Sequence, residues 1–251
     1  MKNLLSSLFI FLFFFFVSCS GKTAVKHAEK FDPEKAFAMA NEQVEKKEYE
    51  QARAAFLEVK NRDLSKKFAP LAQLRIADSY VKEDEPEPAV AAYQKFLEAY
   101  PDHQHASYAQ YQIAMIYFNQ IESPERGYSG ASRALEEFEK LKKMFPRNPY
   151  KDVIEIRIEK CRNIMAEYEY LVGEFYYKKG SYNAAIGRFE GLMKNYPDYK
   201  GEAYVLFYTG MSYKNLGQKG KASEYLSSLI EKYPNNNLVK NAKKELSDLK
   251  P

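Results

Sequence analysis

The chain has 251 residues, 45% of them hydrophobic and 29% charged, with 21 Tyr, 17 Phe, only 11 Gly and no Trp. Disordered and collagen-like chains lack that apolar content, and a polytopic membrane protein needs several runs of about 20 apolar residues, so a core-forming chain of one or two domains remains. The 38 basic and 34 acidic residues leave a formal charge of only +4, which makes no bulk electrostatic case for nucleic acid.

Lys2 precedes an unbroken apolar run from Leu8 to Val17 that closes at Ser18-Cys19. Ten apolar residues are too few to anchor a chain across a bilayer, but they suit a secretory signal peptide covering residues 1–18. The ending Phe16-Val17-Ser18-Cys19 resembles a bacterial lipobox, in which the chain is cut before a cysteine that then carries diacylglycerol and acyl chains such as palmitate. An ordinary signal peptide cut nearby is the alternative. With Cys19 acylated, Cys161 is the one thiol left and no internal disulfide can form. Residues 19–32 then read as a flexible tether from a membrane surface. Ser20, where inner-membrane lipoproteins carry Asp, points to the periplasmic face of the outer membrane.

The rest is periodic. A first copy has Ala40, Ala52, Phe56 and Val59, with Lys46-Lys47 at its turn and Leu64 where later copies have Pro, so its register stays open. A second has Ala77, Tyr80, Ala89, Tyr93, Phe96 and Pro101. A third has Ala114, Tyr117, Ala134, Phe138, Leu141 and Pro146, and is stretched by about eight residues, expected in the turn around 122–130. From Pro149 to Lys179, Ile154, Ile158, Cys161, Met165 and Tyr168 recur at spacings of three and four, which predicts one long helix stopped by Gly180. The fourth copy has Gly173, Tyr176, Ala185, Phe189, Leu192 and Pro197, and the fifth Gly210, Tyr213, Ala222, Leu226, Leu229 and Pro234. Residues 238–249 add a helix whose Lys240, Lys243, Lys244 and Glu245 suit a solvated cap. The pattern resembles the tetratricopeptide repeat, which implies an all-α superhelix of five helix pairs with a C-terminal capping helix. Three repeats occupy 33–148; the long helix, two more repeats and the cap occupy 149–251.

Candidate chemistry is sparse. His103 and His105 are two apart, a spacing that turns helical side chains to opposite sides, and no third ligand is near in sequence, so no metal is expected. Cys161 lies on an apolar stripe and reads as a buried thiol. The stretch Gly127-Tyr128-Ser129-Gly130 lacks the spacing of a nucleophile elbow, and no P-loop, dinucleotide fingerprint or zinc-protease motif occurs, so no catalysis and no cofactor are expected.

Solenoids bind along the face formed by the first helix of each repeat. Counting from the small residue of each copy, that face is expected to carry Phe37, Val44, Leu71, Leu74, Asp78, Val81, Tyr108, Tyr111, Met115 and Phe118. It is apolar and aromatic, which suits a hydrophobic, β-prone peptide. The fourth copy places Glu167, Tyr170, Glu174 and Tyr177 there, a more polar set suited to a different partner.

The blocks Ala166 to Tyr170, Gly173 to Tyr177 and Gly180 to Ala185, continuing through Arg188-Phe189-Glu190-Gly191 to Tyr196-Pro197, resemble the BamD family, tetratricopeptide lipoproteins of the outer-membrane β-barrel assembly machine. The lipobox, the five repeats and the stretched third copy agree with it. The resemblance implies a non-catalytic scaffold that docks on a POTRA domain of BamA, joins other lipoproteins of the complex and helps recognise unfolded outer-membrane β-barrel proteins. It further implies that Arg188 contacts BamA and that the N-terminal repeats receive the substrate's aromatic-rich terminal strand. Another tetratricopeptide lipoprotein, pilotin-like or active in cell-envelope coordination, is the alternative.

Overall fold

Residues 30–249 are described in a computed structural model; the signal peptide and most of the tether expected over 1–32 lie outside them. The described residues form eleven α-helices: α1 (Pro33–Glu45), α2 (Tyr49–Arg62), α3 (Ala69–Lys82), α4 (Pro86–Ala99), α5 (Ala106–Asn119), α6 (Pro124–Met144), α7 (Lys151–Lys178), α8 (Tyr182–Asn195), α9 (Glu202–Asn215), α10 (Lys219–Lys232) and α11 (Val239–Leu249). They pair as α1/α2, α3/α4, α5/α6, α7/α8 and α9/α10, each helix packed on its neighbours in sequence, with α11 against α10. This is an all-α tetratricopeptide superhelix of five helix pairs and a capping helix. Among the described residues, no helix is long and apolar enough to cross a membrane.

Local chemistry sets the helix ends. Within four of the five pairs the first helix closes in a Schellman motif, where a residue in the left-handed region lets two backbone N–H groups turn back onto the last carbonyls. The left-handed residues are Lys47, Asp84, Gly180 and Gly217, with φ of 62°, 61°, 73° and 73°. The next residue donates five back in each case: Glu48 to Gln43, Glu85 to Tyr80, Ser181 to Tyr176 and Gln218 to Tyr213. The register of the first copy is thereby settled, since Lys47 takes the place that Gly holds later. Second helices stop just before a Tyr-Pro or Phe-Pro step, because proline disfavours helical geometry in the residue before it. Tyr100, Phe145, Tyr196 and Tyr233 hold that position, out of the helical region with ψ of 55°, 68°, 66° and 56°.

The first copy lacks the proline, and Asp63 replaces it. Its carboxylate accepts from the Ser65 backbone and hydroxyl and from the backbone N–H groups of Phe68 and Ala69, so one side chain ends α2 and starts α3. Burial pushes this carboxyl's pKa up, but the hydrogen bonds outweigh it and leave it below the ordinary value.

Each pair is locked by a small residue on the first helix facing a large one on the second. Ala40, Ala77 and Ala114 are fully buried, as are Phe56, Phe138, Phe189 and Leu226, and Tyr93 at the same position of the second copy is 1% exposed. Burying one such phenylalanine contributes about 1.5–3 kcal/mol.

The stretched third copy differs from expectation. The extra residues do not form a turn: α6 has 21 residues where α4 has 14, and the connection Gln120–Ser123 is one residue longer than those inside the other pairs. Pro124 stands in the first turn, where its missing N–H has no helical partner to lose. Gly127 and Gly130, which read as turn residues, instead bring α6 against Ile121; a Cβ on Gly127 would lie 3.0 Å from that side chain and 3.3 Å from Ile164. The long helix is present as α7, 28 residues without interruption. Ile154, Ile158, Cys161 and Met165 on its first half join Ala134, Phe138 and Leu141 of α6 in one core, and its second half is the first helix of the fourth pair.

Candidate functional site

The first-helix face of the N-terminal repeats is more closed than its sequence pattern suggests. Val44 and Leu74 are buried at 8% and 6% exposure, too deep to touch a ligand, because the adjoining helices cover the inner edge of the stripe. Phe37 packs on Phe56 and Phe68, with centroids 5.4 and 5.6 Å apart. Leu71 is half-buried and Val81 exposed.

Asp78 is tied into a network. It accepts from the Tyr93 hydroxyl at 2.6 Å, from the Tyr108 hydroxyl at 3.0 Å and from Arg75 at 2.9 Å. Burial, then the nearby Asp78 charge, raises both tyrosine pKa values, that of Tyr108 to about 12. The tyrosines stay neutral donors and hold the carboxylate across α3, α4 and α5. Tyr111 stacks on Tyr150 at 4.1 Å and 9°. Phe118 meets the Phe138 ring edge-on and lies under Arg157 and Lys160 of α7. Met115 is half-buried in the same core. The start of α7 therefore bounds the N-terminal face, whose open apolar surface is smaller and whose polar fittings are more rigid than the pattern implied.

Arg188 of α8 is 46% exposed and donates to Glu169 of α7 at 3.0 Å. That hydrogen bond is the main cause of its raised pKa. The pair belongs to a periodic series that the repeat pattern alone did not reveal. Four residues before the small position, Gln73 donates to the Ala92 carbonyl and Gln110 to the backbone and side chain of Glu137; each acceptor stands three residues after the second helix's Ala. Glu169 and Arg188 are the fourth copy's occupants of those positions. The signal was readable as Gln, Gln, Glu at a fixed offset.

On the fourth copy's first-helix face, Glu174 pairs with Lys178 at 2.8 Å and Glu167 accepts from the Tyr199 hydroxyl. Tyr170 is surrounded by Tyr199, Tyr204, Tyr208 and Phe189, all with centroids 6.2–6.5 Å away, and Tyr177 lies 4.9 Å from Tyr208. A cavity of about 870 Å³ runs beside α7 between Leu135, Ile156, Met165 and the segment Tyr196-Pro197-Asp198-Tyr199.

The histidine pair forms a turn. His103 Nδ1 accepts the His105 backbone N–H, and among the described residues no group of three or more His, Cys, Asp or Glu gathers where it could hold a metal. Cys161 is buried, and burial pushes its thiol up to about 11, out of the reactive range.

Comparison with known proteins follows the same lines. A family model described as YfiO, outer membrane lipoprotein, matches residues 29–225. Several relatives bear the name outer membrane protein assembly factor BamD, among them the following three. The protein from Rickettsia prowazekii is 29% identical over 192 residues, 76% of each chain. The one from Neisseria meningitidis serogroup A is 25% identical over 211 residues, 80% of this chain and 79% of that one. The one from Caulobacter vibrioides is 26% identical over 154 residues, 61% of this chain and half of the relative's length. Among solved structures, the TPR2AB domain of yeast Sti1 in its pHSP90 complex aligns with a TM-score of 0.47 at 16% identity, over 81% of this chain and 78% of that one.

Proposed function

We infer the function from one premise: this chain belongs to the YfiO outer-membrane lipoprotein family. It is a scaffold in the assembly of outer-membrane proteins and not an enzyme. We propose that acyl chains on Cys19 tether it to the periplasmic face of the outer membrane and that residues 19–32 give the repeats reach. On this reading the C-terminal repeats dock on a POTRA domain of BamA through Arg188, and the other lipoproteins of the complex assemble around them. The N-terminal face receives an aromatic-rich strand of an unfolded β-barrel protein through what stays accessible: Leu71, Val81 and the rings of Phe37, Tyr108, Tyr111 and Phe118.

The observation that carries the docking reading is the Arg188–Glu169 pair. Equivalent positions in the second and third copies close the repeat with a glutamine and a backbone carbonyl, whereas here a guanidinium is held in place and left 46% exposed. Its free N–H groups are presented in a fixed orientation to an incoming carboxylate, the geometry in which arginine pairs most strongly.

The test is copurification from envelope membranes with tagged wild type and with Arg188→Glu. A POTRA-containing barrel protein should accompany the wild type and be depleted with the variant. Equal recovery with both removes Arg188 from the interface, and its absence from both removes the assembly reading.

A further inference from the structure

Three of the connections that follow the second helices use a residue with a polar side-chain acceptor two places after the proline. His103 Nδ1 accepts from His105, Asn148 Oδ1 from Tyr150 and Asn236 Oδ1 from Leu238. At that place after Pro197 stands Tyr199, which closes no such turn and sends its hydroxyl to Glu167 on α7. Gly201 lets the ring lie there, since a Cβ on it would sit 2.5 Å from the Tyr199 ring and hydroxyl.

The result is a recess of about 540 Å³ walled by Tyr170, Tyr199 and Tyr204, with Glu167 and Asn163 at one side. Tyr199 and Tyr204 lie 6.5 and 6.4 Å from Tyr170, at 36° and 69° to it, so the rings form three walls rather than one stack. Glu167 spends Oε2 on Tyr199, and Oε1 has no hydrogen-bond partner among the described residues. Lys200, the one cation on the wall among the described residues, pairs with Glu159 at 3.5 Å and is 81% exposed. Tyrosine faces carry negative potential, and the Glu167 carboxylate beside them adds a full charge, while the charge of Lys200 is paired with Glu159.

We propose that this recess is a receptor for one arginine side chain carried on an extended segment of a partner protein. A guanidinium fits better than an ammonium: it is planar, stacks on aromatic faces and still offers an N–H to Glu167 Oε1. The recess shares Asn163 and Tyr199 with the 870 Å³ cavity beside α7, so a chain threading that cavity delivers its side chain into the tyrosine walls. The site is separate from Arg188, which lies on α8 and presents the opposite charge.

The test uses the full chain with isotope-labelled tyrosine rings, titrated by NMR with acetyl-Gly-Arg-Gly-amide and with the same peptide bearing citrulline, which keeps the shape and loses the charge. The arginine peptide should shift Tyr170, Tyr199 and Tyr204 saturably, with the citrulline peptide bound at least about tenfold more weakly. Tyr204→Ala, at a residue already 40% exposed, and Glu167→Gln should each weaken binding by about threefold or more while leaving the Tyr93 and Tyr108 resonances in place. Gly201→Ala, which displaces the Tyr199 ring, should do the same. No shift with the arginine peptide, equal binding of citrulline, or unchanged binding by Glu167→Gln would overturn the proposal. Copurification of a barrel protein is independent of all three.

Discussion

The first three repeats and the last two build one backbone from different residues. Where a first helix crosses its partner, the N-terminal copies use Ala40, Ala77 and Ala114, and the C-terminal copies use Gly173 and Gly210. Where the first helix must end in a left-handed residue, Lys47 and Asp84 serve in the N-terminal half and Gly180 and Gly217 in the C-terminal half. The fold thus fixes the conformation at each position, and the side chain decides only how much strain or closeness is met there. The C-terminal half has the closer crossings: a Cβ on Gly173 would overlap the Phe189 ring at 2.5 Å, and one on Gly210 would meet Leu226 at 2.8 Å. The N-terminal half tolerates a methyl at the same crossing and accepts non-glycine residues at positive φ.

Adding a methyl at a C-terminal crossing should erase that contrast at the greatest cost. Gly173→Ala should destabilise the chain by about 2 kcal/mol in urea unfolding, because the Phe189 ring is fully buried and cannot yield; no loss would mean that the crossing has slack. Next comes Asp63, the N-terminal half's substitute for proline. Asp63→Asn should cost about 1 kcal/mol at neutral pH, from a weakened cap on α3. The sign with pH follows from a folded pKa that lies below the unfolded one. The ionised carboxylate contributes its full stabilisation above the unfolded pKa of about 4 and loses it as pH falls through the folded value, so wild type and variant should converge below about pH 4. Exchanging the left-handed residues between the halves should matter least. Lys47→Gly relieves a left-handed lysine and should raise stability by about 0.5–1 kcal/mol, whereas Gly217→Ala should lower it by a similar amount, both read from urea midpoints.

The repeats were legible because small, large and proline positions recur at fixed offsets, and each has a single physical role, in close crossing, filling or stopping. The long helix was legible because an apolar stripe ran from Ile154 to Tyr168 with no breaker inside it. The insertion in the third copy was misplaced because Ser123-Pro124 and Gly127 are turn residues by propensity, while their places at a helix start and at a tight contact with Ile121 are set by tertiary packing. Of the N-terminal face, periodicity carries no information about depth, and for that reason it does not reveal that Val44 and Leu74 lie in the core. The pairing of Arg188 with Glu169 and the departure of Tyr199 from its turn needed a comparison of copies at positions the repeat pattern does not constrain.

The long helix α7 also governs how the molecule can be gripped. Tyr150, at its start, stacks on the N-terminal face, and Tyr170, twenty residues on, is the centre of the C-terminal aromatic cluster. At 1.5 Å per residue the two points are held about 30 Å apart by helical rise and not by a linker. If one partner contacts both points, it meets the second at an effective concentration set by a rigid rod, so two individually weak contacts would act as one bivalent attachment, and a partner of the wrong length would gain nothing from the second.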